Sequence, residues 1–223
     1  MRICLIFAAA CLLPTAALAC GNEVALSTDD QTRAVAKAEK FLETGEYGKA
    51  VKSLTEAAEL SPMNFRFEHV FTDAPLRDRA QRVAAVASVR GRGQVDLNTP
   101  MAKGPQRRSA GVPAGLPPEE AARQLKWAVE LLAKHHQAKA DDPAGASLYG
   151  EGLAVQGKTA EAGKILEDLA TRDLVPDAFG WRALAQVRAA TGNAAGRDAA
   201  LEKCRAVAVK ADLCALDPGV GGT

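Results

Sequence analysis

The sequence predicts an all-α protein of about four antiparallel helical hairpins, with no sheet. Three observations lead there. Alanine is abundant while aromatic residues make up only 4% of the 223-residue chain, which suits closely packed helices better than strands. Hydrophobic residues reach 48%, enough for a real core. A small residue is followed seven positions later by glycine at Ala38–Gly45, Ala84–Gly91, Gly150–Gly157 and Ala185–Gly192, so one hairpin unit recurs along the chain.

In the first unit, 31–64, Ala38 lets two helices approach and Gly45 supplies the turn between them. Tyr47, Ala50, Leu54 and Ala57 form the packing face of the second helix, and Pro62 ends it. This spacing resembles the tetratricopeptide repeat (TPR), and the resemblance implies an α-solenoid of stacked hairpins. The third unit, 143–176, repeats the pattern with Ala162, Leu166, Leu169 and Pro176. The fourth unit with its C-terminal cap, 177–218, carries Trp181, Leu184 and Ala185 in its first helix. In its second helix Arg197 stands where Ala is expected, while Leu201 and Cys204 keep the apolar spacing.

The second unit, 74–142, is interrupted. Residues 76–90 read as its first helix. The second starts at Pro117-Pro118-Glu119-Glu120, where proline and acidic side chains suit a helix N-terminus, and continues the stripe Ala121, Leu125, Ala128, Leu131, Leu132. Between them, 91–116 is a Gly/Pro-rich basic insertion, expected to be flexible. The alternative is a linker between two separate two-hairpin lobes. One solenoid is preferred, because a lone hairpin half cannot bury its own face.

The first 19 residues read as a signal peptide. Arg2 precedes the apolar run Ile3 to Leu13, Pro14 and Thr15 break it, and Ala17-Leu18-Ala19 offers a small-x-small cleavage pattern. The run is about half the ~20 apolar residues a spanning helix needs. The stretch ending at Cys20 resembles a bacterial lipobox, with Ala17 where leucine is usual, and this implies acylation of the Cys20 thiol. Ordinary cleavage would instead leave a free N-terminal cysteine. With Cys4 and Cys11 removed, Cys20, Cys204 and Cys214 remain, and lipidating Cys20 leaves the other two to pair. Ten residues of helix would hold those Cα atoms ~15 Å apart, against the ~5.5 Å a disulfide needs. The chain is therefore expected to turn back around 210–212 and pin its tail over the last hairpin. Gly21 rather than Asp after Cys20 resembles the sorting signal of outer-membrane lipoproteins, which implies a periplasm-facing location. Residues 20–30 read as a linker and 219–223 as a disordered tail.

Little in the chain looks catalytic. His69, His135 and His136 lack the HExxH spacing of a metal site, and no GxSxG elbow, Walker A loop or dinucleotide fingerprint occurs. Asp29-Asp30 and Asp141-Asp142 sit where helix capping explains them. We therefore expect neither enzyme activity, nor a cofactor, nor a metal. Of 28 Lys and Arg residues Arg2 would leave with the signal, so basic and acidic residues balance at 27 each and nothing points to a nucleic-acid partner.

A TPR array lines its inner groove with the first helix of every repeat. By register the groove-facing candidates are Thr32, Glu39 and Glu43; Asp78, Gln81 and Ser88; Ser147 and Glu151; and Arg182 and Gln186. Arg90, Arg92, Lys103, Arg107 and Arg108 form a basic loop, which either contacts anionic headgroups or wall polymer or simply stays solvated. The expectation is a non-catalytic scaffold of the bacterial cell envelope, held at the membrane by a lipid anchor and binding another protein or peptide segment. The alternative is a soluble periplasmic module for a glycan, lipid or peptide.

Overall fold

The computed structural model describes residues 28–56, 67–95, 97 and 116–216. Its regular structure is helical, and no strand occurs among the described residues. The elements are α1 (Thr28–Glu43), α2 (Tyr47–Glu56), α3 (Phe67–Val70), α4 (Ala74–Arg90), α5 (Pro118–Ala138), α6 (Pro143–Val155), α7 (Thr159–Thr171), α8 (Ala178–Ala190), α9 (Ala194–Val207) and the 3-10 turn η1 (Ala211–Cys214). The expected signal peptide, Cys20, the end of the first unit, the interior of the 91–116 insertion and the 219–223 tail lie outside the described residues.

Sequential neighbours pack as pairs: α1 with α2, α4 with α5, α6 with α7, α8 with α9. Both helices of each pair also touch the first helix of the next pair. Small residues permit this closeness. A Cβ on Gly150 would meet Leu166 Cγ at 2.9 Å, and one on Gly152 would meet Val129 Cγ2 at 2.9 Å. Val35, Leu54, Phe71, Leu132, Leu153, Leu166 and Leu184 are among the fully buried side chains that fill the core.

Local chemistry sets the helix ends. The Asp73 carboxylate accepts from Leu76 N at 2.9 Å, Asp142 from Ala144 N at 3.1 Å, and Asp177 from Gly180 N at 2.9 Å. At the turns one bond recurs: Glu46 N donates to Phe41 O, Lys158 N to Leu153 O, and Asn193 N to Arg188 O, all within 2.8–2.9 Å. Each closes around a left-handed glycine, Gly45, Gly157 or Gly192, with φ between 76° and 79°.

The second pair departs in register. Its equivalent bond runs from Gly93 N to Ser88 O at 2.7 Å, and the left-handed residue just before the donor is Arg92 (φ 53°), followed by Gly93 itself at φ 73°. Gly91 ends α4 with φ −86°. The turn therefore lies one residue later than the Ala84–Gly91 interval implies, and Arg90 takes the place that Glu43 holds in the first pair, two residues before the left-handed position.

α3 has no counterpart in the sequence reading. Its four residues are too short to carry a helical period. They bring Phe67 to 6.3 Å from the Phe71 ring and 6.5 Å from Trp127.

At the C-terminus α9 ends at Val207, before the expected turn at 210–212, and an extended stretch leads into η1. Cys204 and Cys214 are bonded there, with Cα atoms 5.9 Å apart. The tail is pinned to the last pair as expected, but it reaches further. Lys210 Nζ donates to Thr44 O at 3.1 Å, and Leu213 packs where a Cβ on Gly45 would lie, 2.8 Å from its Cδ2. The first and last helix pairs are thereby joined. No helix among the described residues is long and apolar enough to cross a membrane.

Candidate functional site: a buried arginine between three helices

The groove candidates separate into two groups. Thr32, Glu43 and Asp78 are exposed, and Gln81, Arg182 and Gln186 are half-buried. Ser88, Ser147 and Glu151 are buried and line no open groove. The reasons are local. Gly180, in the first turn of α8, stands so close over Ser147 that a Cβ there would lie 2.5 Å from the hydroxyl. Ser88 belongs to a stretch of α4, from Val83 to Val89, that has no exposed residue because α1, α2, α5 and α6 all pack against this helix. Glu39 is half-buried because Arg79 of α4 grips it with two bonds of 2.6 and 2.5 Å.

Arg90 is the largest correction. The sequence places it with the basic loop, yet its side chain is only 5% exposed. Its Nε donates to Glu151 Oε1 at 3.1 Å, and its Nη2 to Glu151 Oε2 at 3.2 Å and Asp177 Oδ2 at 3.1 Å. Its guanidinium carbon lies 3.6 Å from the centre of the Phe179 ring. Tyr47, from the first pair, meets the same ring edge-on at 6.4 Å, and Arg182 approaches it at 5.5 Å. α2, α4, α6 and α8 each contribute at least one residue to this cluster.

Its electrostatics follow from that arrangement. Burial penalises the Arg90 charge, but the Glu151 and Asp177 carboxylates outweigh the penalty and hold its pKa above the ordinary value. The fork of the guanidinium matches the Glu151 carboxylate, while the flat face rests on Phe179. Asp177 has a double role, because its other oxygen caps α8. Such a centre fixes helices relative to one another.

Arg92 is exposed, whereas Lys103, Arg107 and Arg108 lie outside the described residues. Cys204 and Cys214 are buried in their disulfide. His135 is held below its usual pKa by burial and by Arg82, with Asp78 opposing. His136 stacks on Tyr149 at 5.7 Å and lines a cleft of about 300 Å³ with Asp142, Lys164, Asp168 and Arg172. Among the described residues no group of three or more His, Cys, Asp or Glu side chains is placed to hold a metal ion.

Long-range pairing is what the sequence reading missed at this site. Glu151 and Arg90 are 61 positions apart, and a regular spacing cannot announce such a partner. The available signal was Arg92 in place of glycine, which moves Arg90 onto the face that Glu43 occupies in the first pair. Comparisons with family models, curated protein sequences and solved structures found no match.

Proposed function

We propose that this chain is a non-catalytic scaffold of the bacterial cell envelope, a TPR-like array that holds another protein or an extended peptide segment and is tethered through lipidated Cys20. The observation that carries the reading is the succession of four helix pairs, each leaning on the next, with one turn bond recurring in all four. Arrays built this way present the first helices of their pairs as an extended surface.

That surface is narrower than the sequence alone implies. Arg90, Ser88, Ser147 and Glu151 are consumed in internal packing. What remains open is α1, the first half of α4 and the accessible side of α8, through Thr32, Glu43, Asp78, Gln81, Arg182 and Gln186. Glu43 and Asp78 lend the early part an acidic character, so the reading favours a partner with a basic or polar segment.

Cross-linking in intact cells, followed by mass spectrometry of captured proteins, tests the reading. A discrete partner recovered with the wild-type chain should be lost with a Glu43→Lys/Asp78→Lys variant of unchanged helicity. Equal recovery with both chains would reject this surface. Radioactive palmitate should label the wild type and spare Cys20→Ser; absence of label from the wild type removes the anchor from the proposal.

A further inference from the structure

The contact between the two ends of the array goes beyond its proposed role as a scaffold. Residues 208–216 leave α9 at Val207, pass through an extended stretch and η1, and touch the turn between α1 and α2. Three interactions join the ends. Lys210 Nζ bonds the Thr44 carbonyl at 3.1 Å, across 166 positions of sequence. Leu213, only 8% exposed, closes over Gly45, where the absence of a side chain leaves the space it needs. Tyr47 of α2 meets Phe179 of α8 edge-on. A further electrostatic link reaches Glu46. Its carboxyl is held below the usual range chiefly by hydrogen bonds from Lys49 and Thr44, with the Lys210 charge adding to them.

The strap does not depend on these contacts for its own attachment. The Cys204–Cys214 bond ties η1 to the body of α9, and η1 packs on α8 and α9. The strap is thus covalently anchored to the last pair, while it grips the first by a single hydrogen bond from Lys210 and the Leu213 side chain; the Tyr47–Phe179 ring contact joins the two pairs beside it. The Phe179 ring at this junction is the same ring on which Arg90 rests. The ring contact at the junction of the two ends therefore shares Phe179 with the buried Arg90–Glu151 pair.

We propose that residues 208–216 act as a clasp: anchored by the disulfide, they hold the first helix pair against the last, and their release opens the array and uncovers the Arg90–Glu151 pair without melting the helices. The closed state is the one described above. In the open state the four pairs persist, since each is packed by its own neighbours, while the Tyr47–Phe179 contact is lost.

Two variants test the clasp from opposite ends. Cys204→Ala/Cys214→Ala removes the anchor; Leu213→Ala keeps the disulfide and removes the grip on Gly45. Amide hydrogen exchange is followed at Gly45–Ala50 and Arg90–Gly93, with α7 as an internal reference, and small-angle scattering reports the overall dimension. Both variants should retain wild-type far-UV circular dichroism and α7 protection, exchange at least about tenfold faster at the two reporter segments, and show a larger radius of gyration. Wild-type exchange and dimension in both variants would overturn the proposal. Loss of helical signal in both would overturn it equally, because the segment would then be a condition of folding and not a clasp.

Discussion

Of the arginine–glutamate bridges that join successive helix pairs, Arg188–Glu167 and Arg90–Glu151 differ mainly in their surroundings. Arg188 of α8 meets Glu167 of α7 through two bonds of 2.8 and 2.5 Å, and the carboxylate side is 44% exposed. Arg90 meets Glu151 through longer bonds of 3.1–3.3 Å, yet both side chains are at most 5% exposed. The shorter bridge matters less to stability. Water can replace either partner of the exposed pair, so its net contribution is small. Removing one partner of the buried pair strands a charge where water cannot reach it.

The contrast can be broken at either bridge. Glu151→Ala should cost about 3–5 kcal/mol in urea denaturation, because Arg90 keeps only the half-exposed Asp177 as a charge partner. A loss below about 1 kcal/mol would mean that Arg90 escapes to solvent. Replacing both partners by apolar groups, Arg90→Met with Glu151→Leu, should recover about 2 kcal/mol of that loss, measured by the same denaturation. Glu167→Ala should cost no more than about 1 kcal/mol. The smallest effect is a pH dependence. Hydrogen bonding to Arg188 holds the Glu167 carboxyl below its ordinary value, so its contribution is complete above the unfolded pKa near ~4.3 and disappears as pH falls through the lower folded value. The stability gap between wild type and Glu167→Gln should therefore narrow by a few tenths of a kcal/mol between about pH 5 and pH 3.

Helix placement was largely legible in the sequence because it depends on local signals. Pro118 with Glu119 and Glu120 opens α5, Asp142 caps α6, and Gly45, Gly157 and Gly192 take up the left-handed turn. The cysteine pair was legible from parity and reach together. The second pair misled for a physical reason. Glycine is the favoured left-handed residue, but here Arg92 and Gly93 adopt positive φ while Gly91, the glycine of the repeated interval, does not. Arg90, the last residue of the expected helix 76–90, and Ser88 are both buried, and local spacing shows neither. The candidate site was accordingly the least legible feature. Glu151 was picked out for its position on α6, but its partner comes from another pair and its burial from a third.

The bond between Lys210 and Thr44 also bears on the order in which the molecule is made. Nearly every other packing interaction links helices adjacent in sequence or one hairpin apart, so loop closure is cheap and structure can form as the chain appears. The end-to-end contact must wait until residue 213 is present. A chain emerging N-terminus first would carry its first hairpin with the Gly45 turn uncovered for almost the whole of its synthesis or passage. Closure by the tail is then the final event of assembly, and truncation between Val207 and Lys210 yields a helical protein that lacks both the Lys210 bond to Thr44 and the Leu213 contact with Gly45.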